Sequence, residues 1–262
     1  MMRQHTKTLG QVFLHDPNII RKIVAFAQPK PHHPIIEIGC GKGILTTALS
    51  DIGPVYAIEI DSRWVTVTRN HALPNTTIIH ADALTIDYEQ FQKHSPIIAN
   101  IPYHITAPLI ETFSRYTHHL GPITMMIQSD VARRLLSQPG TKQYGAMTIF
   151  CSYHFTIMPG FFVSRRCFSP PPNVDSYVLT LVPKPPALSH QDEALFFKMT
   201  RTFFWGRRKT MHTTLTSGPY IQLTGPLPDG IRESLRHRGE TLSLNQLLDL
   251  FHTLRPYLSI RA

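Results

Sequence analysis

The stretch PIIEIGCGKGILT, residues 34–46, decides the fold because its character changes twice within a short span. It starts as an apolar, β-branched run typical of a buried strand, passes through three alternating glycines, and continues into a segment that favours helix. Glycine lacks a Cβ, so a ligand can approach such a loop closely, and the helix N-terminus adds free N–H groups. The GxGxG spacing is weak evidence alone and differs from the GxGxxG of dinucleotide sites. A tight turn without a ligand is the alternative.

Strands and helices alternate on both sides of this stretch. A helix is predicted to start at Asp16-Pro17, where an N-cap residue precedes a proline. Further strands are predicted at 54–60, 76–81, 96–101 and 122–128, and further helices near 42–50, 62–72, 103–116 and 129–137. This rhythm predicts a doubly wound α/β sheet with right-handed crossovers. Two later runs, at 155–160 and 175–183, are expected to add antiparallel strands at the edge.

A second, smaller domain is predicted after the segment PKPPALSH, residues 183–190, which is too rich in proline for a helix or a central strand. We therefore expect one domain over residues 1–185 and a small helical domain over residues 186–262. Residues 188–262 carry ten Lys/Arg against six Asp/Glu, so the small domain is modestly enriched in positive charge.

The composition favours a phosphate-rich partner without deciding it. The 262 residues have a formal net charge of +9 and are 42% hydrophobic, enough for a sizeable core. Only 16% of residues are charged, so the surplus comes from a shortage of acids and not from a basic tail. A basic globular protein is biased toward nucleic acid, although many proteins of modest positive charge bind none.

The sequence also predicts the compartment and the absence of a metal. Its three cysteines are widely spaced and include no CxxC pair, which favours a reducing environment over a disulfide framework. No secretory h-region and no apolar run of membrane-spanning length are found. Fifteen histidines include no HExxH, so no metal site is expected. We expect a soluble, cytoplasmic monomer without a membrane partner.

Two acids strengthen the case for a nucleoside site. Glu59 closes the second strand twenty positions after Gly39, the spacing at which a carboxylate accepts hydrogen bonds from ribose hydroxyls. Asp82 follows the third strand, where it could accept a hydrogen bond from an adenine amino group. A solvated strand-end acid is the alternative for Glu59, and a turn-initiating or capping residue is the alternative for Asp82.

The fourth strand ends in Asn100-Ile101-Pro102-Tyr103, and this motif is more specific. Together with EIGCGKG it resembles the S-adenosylmethionine-dependent methyltransferases that modify the exocyclic amine of adenine. More narrowly, the chain resembles the small-subunit ribosomal RNA adenine dimethyltransferase family, whose bacterial member is the kasugamycin-sensitivity enzyme. A strand-ending Asn-x-Pro turn with a core tyrosine is the alternative interpretation of the motif.

The resemblance covers nearly the whole chain, in four further motifs that occur in the right order: GQVFLHD (10–16), CFSPPPNVDS (167–176), FFWGRRKT (203–210) and RGETLSLNQL (238–247). It implies a Rossmann-like class I methyltransferase sheet with a small helical C-terminal domain, and S-adenosylmethionine as cofactor. The segment 10–16 resembles the family's cofactor lid, although Val12 stands where the family has asparagine. The sequence also departs from the family's usual pattern at Cys40, a position that is often proline in the family.

The resemblance implies a role for each residue of these motifs. The catalytic residues are Asn100, Pro102 and Tyr103, which would hold the amine and stack on a flipped base. The cofactor-binding residues are Val12, Leu14, Gly39, Gly41, Glu59, Asp82 and Asn100. Substrate would contact Tyr103, Phe168, Arg207, Arg208 and Lys209. Phe168 as a core aromatic, and the basic trio as a solvated charge cluster, are the alternatives.

The expected function is N6,N6-dimethylation of two adjacent adenosines in the 3′-terminal hairpin of small-subunit rRNA, with a role in maturation of the immature small subunit. Two alternatives stay open. One is the large-subunit rRNA adenine methyltransferase of macrolide resistance, which shares the fold and the NIPY region. The other is a ribosome-assembly or RNA-binding factor in which catalysis is secondary. The C-terminal motifs favour the small-subunit enzyme over the first alternative, and the intact strand-end residues argue against a dead enzyme.

Overall fold

The computed structural model describes residues 12–261. Its strands are β1 (Phe13–Leu14), β2 (Ile35–Ile38), β3 (Val55–Glu59), β4 (Thr76–His80), β5 (Ile97–Asn100), β6 (Ile123–Gln128), β7 (Phe155–Val163), β8 (Phe168–Ser169), β9 (Ser176–Pro183), β10 (Ile221–Leu223) and β11 (Leu258–Ile260). Its α-helices are α1 (Pro17–Ala27), α2 (Ile44–Ser50), α3 (Ser62–Asn70), α4 (Thr106–Ser114), α5 (Ser129–Leu135), α6 (Ala146–His154), α7 (His190–Trp205), α8 (Met211–Ser217), α9 (Asp229–Ser234) and α10 (Leu244–Leu254).

Seven strands form one mixed sheet in the order β4-β3-β2-β5-β6-β9-β7. The first five are parallel, and β9 pairs antiparallel with both β6 and β7. The chain builds outward from β2, first to β3 and β4 on one side and then to β5 and β6 on the other. The order therefore reverses between β2 and β5, and in open α/β sheets a ligand binds at such a switch point. The predicted α/β sheet with antiparallel strands at one end is confirmed.

Local sequence explains where these elements begin. Asp16 caps α1 because its side chain accepts a hydrogen bond from the Asn18 N–H at 2.8 Å, and Pro17 occupies the first helical position. β2 is buried along its full length, as expected of a central parallel strand covered on both faces. The fold thus follows the predicted pattern closely in its N-terminal half.

The chain divides into two compact units, and one segment lies in the unit opposite to the one predicted. The first unit comprises residues 12–132 and Phe155–Pro185, and the second comprises Arg133–His154 and residues 186–261. The division after Pro185 coincides with the predicted boundary. The expected domain over residues 1–185 is nevertheless corrected, because Arg133–His154 belongs to the second unit.

The second unit has a core rich in aromatic side chains, and this core accounts for the reassigned segment. Tyr144, Ile149 and Tyr153 are at most 3% exposed and belong to the same apolar cluster as Phe196 of α7 and Phe251 of α10. The Tyr144 hydroxyl also donates a hydrogen bond of 2.8 Å to the carbonyl of Leu242. Burial of these three side chains against α7 and α10 stabilises the second unit. The segment therefore belongs to this unit even though α7 and α10 lie far from it in sequence.

Two small antiparallel pairs were missed by the sequence pattern. β1 pairs with β8, and β10 pairs with β11, so the mainly helical second unit also contains a two-stranded sheet. Strands of two or three residues carry too little periodicity to be predicted. Among residues 12–261, no helix combines the length and the apolar character needed to cross a membrane.

The substitution Phe196→Ala should destabilise the second unit by about 3–5 kcal/mol, because the ring is fully buried and its loss leaves a cavity. Urea unfolding followed by the fluorescence of Trp205, which lies in the same unit, measures the change. Phe162→Ala is the matched control, since that ring is 57% exposed and its loss should change the free energy of unfolding by less than about 0.5 kcal/mol. Equal effects of the two substitutions would contradict the assignment of the core.

Candidate functional site

The glycine loop between β2 and α2 has the backbone conformation that its sequence predicts. Gly39, Gly41 and Gly43 all have positive φ, at 78°, 48° and 77°. A Cβ added to Gly41 would lie 3.1 Å from a ring carbon of Phe13, closer than an ordinary contact. The loop therefore needs glycine at this position both for its conformation and for the close approach of the N-terminal segment.

Glu59, at the end of β3, holds the glycine loop to the neighbouring strand end. One carboxylate oxygen accepts a hydrogen bond from the Gly41 N–H and the other accepts one from the Asp61 N–H, both at 3.0 Å. The residue is only 6% exposed. Each carboxylate oxygen has a second lone pair, so the group can accept further hydrogen bonds from a ligand. The solvated strand-end acid considered as the alternative is therefore wrong.

A cavity of about 190 Å³ lies at the carboxyl ends of β2, β3, β4 and β5. Of the predicted site residues, it is lined by Val12, Leu14, Gly39, Gly41, Glu59, Asp82, Asn100 and Pro102. The rest of the predicted lid, residues 10 and 11, lies outside the described residues. The fold therefore brings the predicted cofactor-binding residues together at one cavity, although they come from five separate parts of the chain.

Asp82 combines its two predicted roles. Its side chain accepts a hydrogen bond from the Leu84 N–H at 2.9 Å, which is the turn-initiating contact given as the alternative. The same residue lines the cavity and is only partly buried. The turn therefore fixes the carboxylate at the cavity wall, where the oxygen that does not bond Leu84 can accept a hydrogen bond from a ligand.

Four residues that line the cavity were not among the predicted site residues. Phe13 packs edge-to-face against Trp64 with ring centroids 4.8 Å apart, and the Lys42 ammonium lies 4.9 Å from the centroid of Phe13. Ile60 follows Glu59 directly and is 53% exposed. All four residues line the cavity. Phe13 and Lys42 lie within the motifs GQVFLHD and EIGCGKG, which is the sequence signal that could have found them, whereas Ile60 and Trp64 lie in no quoted motif.

Tyr103 is placed beside the cavity and not on its wall. It opens a short 3₁₀ turn after Pro102, and its hydroxyl lies 2.7 Å from the hydroxyl of Ser176 on β9. Ser176 is fully buried, so the contact fixes the outer end of the ring. Burial also raises the pKa of Tyr103, which keeps the phenol neutral. Stacking of this ring on a target base stays a prediction.

Phe168 is a core side chain in the structure, which corrects the expected stacking face. The ring is 2% exposed and belongs to the apolar cluster of the first unit. Its strand β8 pairs with β1, where Phe168 lies opposite Leu14. A core aromatic was the alternative interpretation, and the burial favours it. A stacking role requires the ring to leave this position.

Arg207 is engaged within the protein, which corrects its expected contact with phosphate. Its Nε donates to Glu240 at 2.8 Å, and its two terminal nitrogens donate to the carbonyls of Lys142 and Thr141 at 2.7 and 3.2 Å. The guanidinium therefore ties the loop before α6 to the segment before α10. Arg208 and Lys209, the other two members of the basic trio, are exposed.

Glu37 is a buried acid on β2, beneath the glycine loop. It is 1% exposed, and neither carboxylate oxygen has a hydrogen-bond partner among the described residues. Burial, opposed by the nearby Thr46 hydroxyl and reinforced by the negative charge of Glu59, raises the pKa of Glu37 to about 8. The carboxyl group is therefore largely protonated at neutral pH.

Cys40, within the same loop, is a buried structural thiol. Burial raises the pKa of the Cys40 thiol to about 12, reinforced by the charge that Glu37 carries once it ionises at high pH, so Cys40 carries no thiolate at neutral pH. Cys40 is therefore a small loop residue and not a nucleophile. Among residues 12–261, no three His, Cys, Asp or Glu side chains are grouped so that they could hold a metal ion.

Nearly the whole chain matches a known family. A family model described as ribosomal RNA adenine dimethylase matches residues 2–254. The chain belongs to this family. A "Ribosomal RNA small subunit methyltransferase A" from Chlorobium phaeobacteroides (strain BS1) is 38% identical over 253 residues, covering 95% of this chain and 94% of that protein. The recognised resemblance is thus confirmed.

Two solved structures share the family's architecture over almost the full chain. A dimethyladenosine transferase from Plasmodium falciparum superposes with a TM-score of 0.81 at 26% identity, covering 93% of this chain and 98% of that one. The 23S rRNA methyltransferase ErmE superposes with a TM-score of 0.72 at 26% identity, covering 93% and 99%. The expected class I methyltransferase fold is therefore confirmed.

The substitution Glu37→Gln should flatten the dependence of stability on pH. Between its ordinary pKa of 4.5 and the raised value of about 8, the folded protein keeps a proton that the unfolded chain has lost. The stability of the wild type should therefore fall as pH rises through this window, by on the order of a few kcal/mol, and most of that slope should vanish in the variant.

Urea unfolding at pH 5 and pH 8 measures this difference. Glu111→Gln is the matched control, because that side chain is exposed and should leave the slope unchanged. A Glu37→Gln variant with the wild-type slope would show that the buried carboxyl group does not titrate as described.

Proposed function

We propose that the protein is an S-adenosylmethionine-dependent enzyme that dimethylates N6 of two adjacent adenosines in the 3′-terminal hairpin of small-subunit rRNA. The observation that carries the proposal is that one cavity gathers Gly39, Glu59, Asp82 and Asn100 at the strand ends. The choice of the small subunit is supported by the 38% identity to a small-subunit methyltransferase over 95% of this chain.

The residues of the cavity fit this cofactor. Glu59 would accept hydrogen bonds from the ribose hydroxyls, because each of its oxygens keeps a lone pair beyond its backbone contact. Asp82 would accept from the adenine amino group, and the apolar walls beside it, including Ile60 and Ala83, would exclude water from the base. When bound, S-adenosylmethionine supplies a methyl group on a sulfonium, which already carries a good leaving group.

Asn100 and the chain that follows it would position the target amine. An adenine amine is a poor nucleophile because its lone pair is delocalised into the ring, so orientation matters more than a strong base. The Asn100 side-chain oxygen and a backbone carbonyl near Ile101 or Pro102 would accept the two amine hydrogens. Pro102 has no N–H to compete for these acceptors. Tyr103 would stack on the base after it leaves the RNA helix.

The second unit would contact the ribosomal RNA or the immature small subunit. Arg208 and Lys209 are exposed and can reach phosphates. Arg207 would contribute by holding the loop before α6 through its hydrogen bond to the carbonyl of Lys142. Phosphate contacts position an RNA without reading its sequence. We propose that the enzyme acts as a cytoplasmic monomer, since its substrate is the assembling ribosome.

The second candidate is methylation of large-subunit rRNA, which is favoured by the likeness to the 23S rRNA enzyme. A third is an assembly factor in which catalysis is secondary. Mapping of N6-dimethyladenosine in both rRNAs, from cells with and without the gene, separates the three. Loss from the small subunit supports the proposal. Loss from the large subunit alone supports the second candidate, and no loss supports the third.

The substitution Asn100→Ala should lower the rate of methyl transfer about 100-fold or more, because the amine loses the acceptor that aligns it. Affinity for RNA should stay within about 2-fold, since phosphate contacts elsewhere supply most of the binding. Transfer of label from the cofactor to immature small subunits and a filter-binding assay give the two values. Asn70→Ala, at the exposed end of α3, is the control. Parallel loss of both values would contradict the assigned role.

The substitution Glu59→Ala should weaken cofactor binding about 10- to 100-fold, because it removes a charged acceptor and releases the Gly41 N–H. Isothermal calorimetry with S-adenosylmethionine measures the affinity, and Glu111→Ala serves as the exposed control. Unchanged affinity in Glu59→Ala would refute the ribose contact.

A further inference from the structure

A strip of four side chains on the second unit combines two exposed aromatic rings with two cations. Arg201 and Trp205 lie four residues apart on α7, which places them on the same helix face. The Arg201 guanidinium lies 5.8 Å from the ring centroid of Tyr220, and the Lys209 ammonium lies 4.8 Å from the ring of Trp205. We call these four residues the α7 strip.

The two rings of the strip are exposed where their neighbours are buried. Trp205 is 49% exposed and Tyr220 is 37% exposed, whereas Phe196 and Phe203 of the same helix are at most 2% exposed. The core of the unit is therefore filled by other aromatic side chains. The exposed indole face of Trp205 is therefore accessible to a ligand, and Lys209 lies beside it.

A tight turn after α7 places the Lys209 ammonium beside the indole ring of Trp205. α7 ends at Trp205, and the Lys209 N–H donates a hydrogen bond of 2.7 Å to the carbonyl of Gly206, which turns the chain back. A Cβ on Gly206 would lie 2.6 Å from a methyl carbon of Thr214 and 3.3 Å from the Lys209 side chain. Only glycine fits this turn without a shift, and the turn carries Lys209 over the ring.

The sequence segment that carries the strip has charged side chains of one sign only. Residues 194–228 contain five Lys/Arg and no Asp or Glu. Of the two acids at the start of α7, Asp192 is bound by Arg255. Arg207 is neutralised by Glu240, which leaves Lys198, Arg201, Arg208 and Lys209 as the basic groups of this segment. A surface of this kind attracts a polyanion.

We propose that the α7 strip is a binding site for single-stranded RNA, separate from the cofactor cavity. Unpaired bases stack on Trp205 and Tyr220, and the neighbouring cations contact the flanking phosphates. Aromatic rings bind any unpaired base through its π-face, and a cation beside the ring adds both cation–π and phosphate attraction. The inference rests on the proposed function in that the RNA is the ribosomal substrate. It assigns to the strip an unpaired segment of that RNA.

The test is binding of the full-length protein to a fluorescein-labelled single-stranded oligoribonucleotide of about 12 nucleotides, a length that suits one stacking site with its flanks. Trp205→Ala and Tyr220→Ala should each weaken binding about 10-fold, as loss of one stacked base does. Phe162→Ala and Lys93→Ala, which remove an exposed ring and an exposed cation from the first unit, should change affinity less than about 2-fold.

Tryptophan fluorescence gives an independent reading, because the chain has two tryptophans and the other, Trp64, lines the cofactor cavity. Added RNA should quench the emission of the wild type and of Trp64→Phe, and the quench should disappear in Trp205→Phe. The same oligonucleotide paired in a duplex, and inorganic polyphosphate, should quench much less. Equal quenching by polyphosphate, or unchanged RNA affinity in Trp205→Ala, would overturn the stacking site in favour of simple charge attraction or an acidic protein partner.

Methyl transfer separates this proposal from the proposed function. With small subunits as substrate, Trp205→Ala should raise KM about 10-fold and keep kcat, whereas Asn100→Ala should lose kcat and keep the RNA quench. A wild-type protein that quenches with RNA but transfers no methyl group refutes the proposed function and leaves the strip intact. Normal transfer with normal KM in Trp205→Ala refutes the strip alone.

Discussion

The carboxylate of Glu59 is the contact on which the site depends. By accepting one backbone N–H from the glycine loop and another from the start of α3, it ties two strand ends together with a single buried charge. A parallel sheet brings its strand ends to one edge but leaves the loops there without regular partners. One acid at the right strand end supplies that partner, and the cavity between the loops keeps its shape as a result.

The site was predictable wherever position along a strand determines position in space. Gly39, Glu59, Asp82 and Asn100 each follow a strand of the parallel sheet, so strand assignment alone was enough to bring them together. The same strand pattern predicted the sheet, including its antiparallel end.

Prediction failed where a side chain depends on a partner far away in sequence. The sequence predicts that Arg207 is free to contact phosphate, like Arg208. In the structure it donates hydrogen bonds to carbonyls and a carboxylate more than thirty residues away. Phe168 sits in a motif that suggests exposure, yet its strand pairs with the N-terminal segment and buries the ring. The local sequence does not show which distant residues will be the partners. For these residue types, tertiary packing decides whether the side chain lies in the core or on the surface.

The placement of Arg133–His154 in the second unit limits how the chain can be divided into separate fragments. The chain leaves the first unit after Ala132, returns at Phe155 and leaves it again after Pro185, so no single cut yields both cores whole. A fragment ending at residue 185 would carry Tyr144, Ile149 and Tyr153 without the helices that bury them. An exchange of second units between related proteins must therefore transplant two segments together, whereas recombination at the proline-rich linker alone would split the second core.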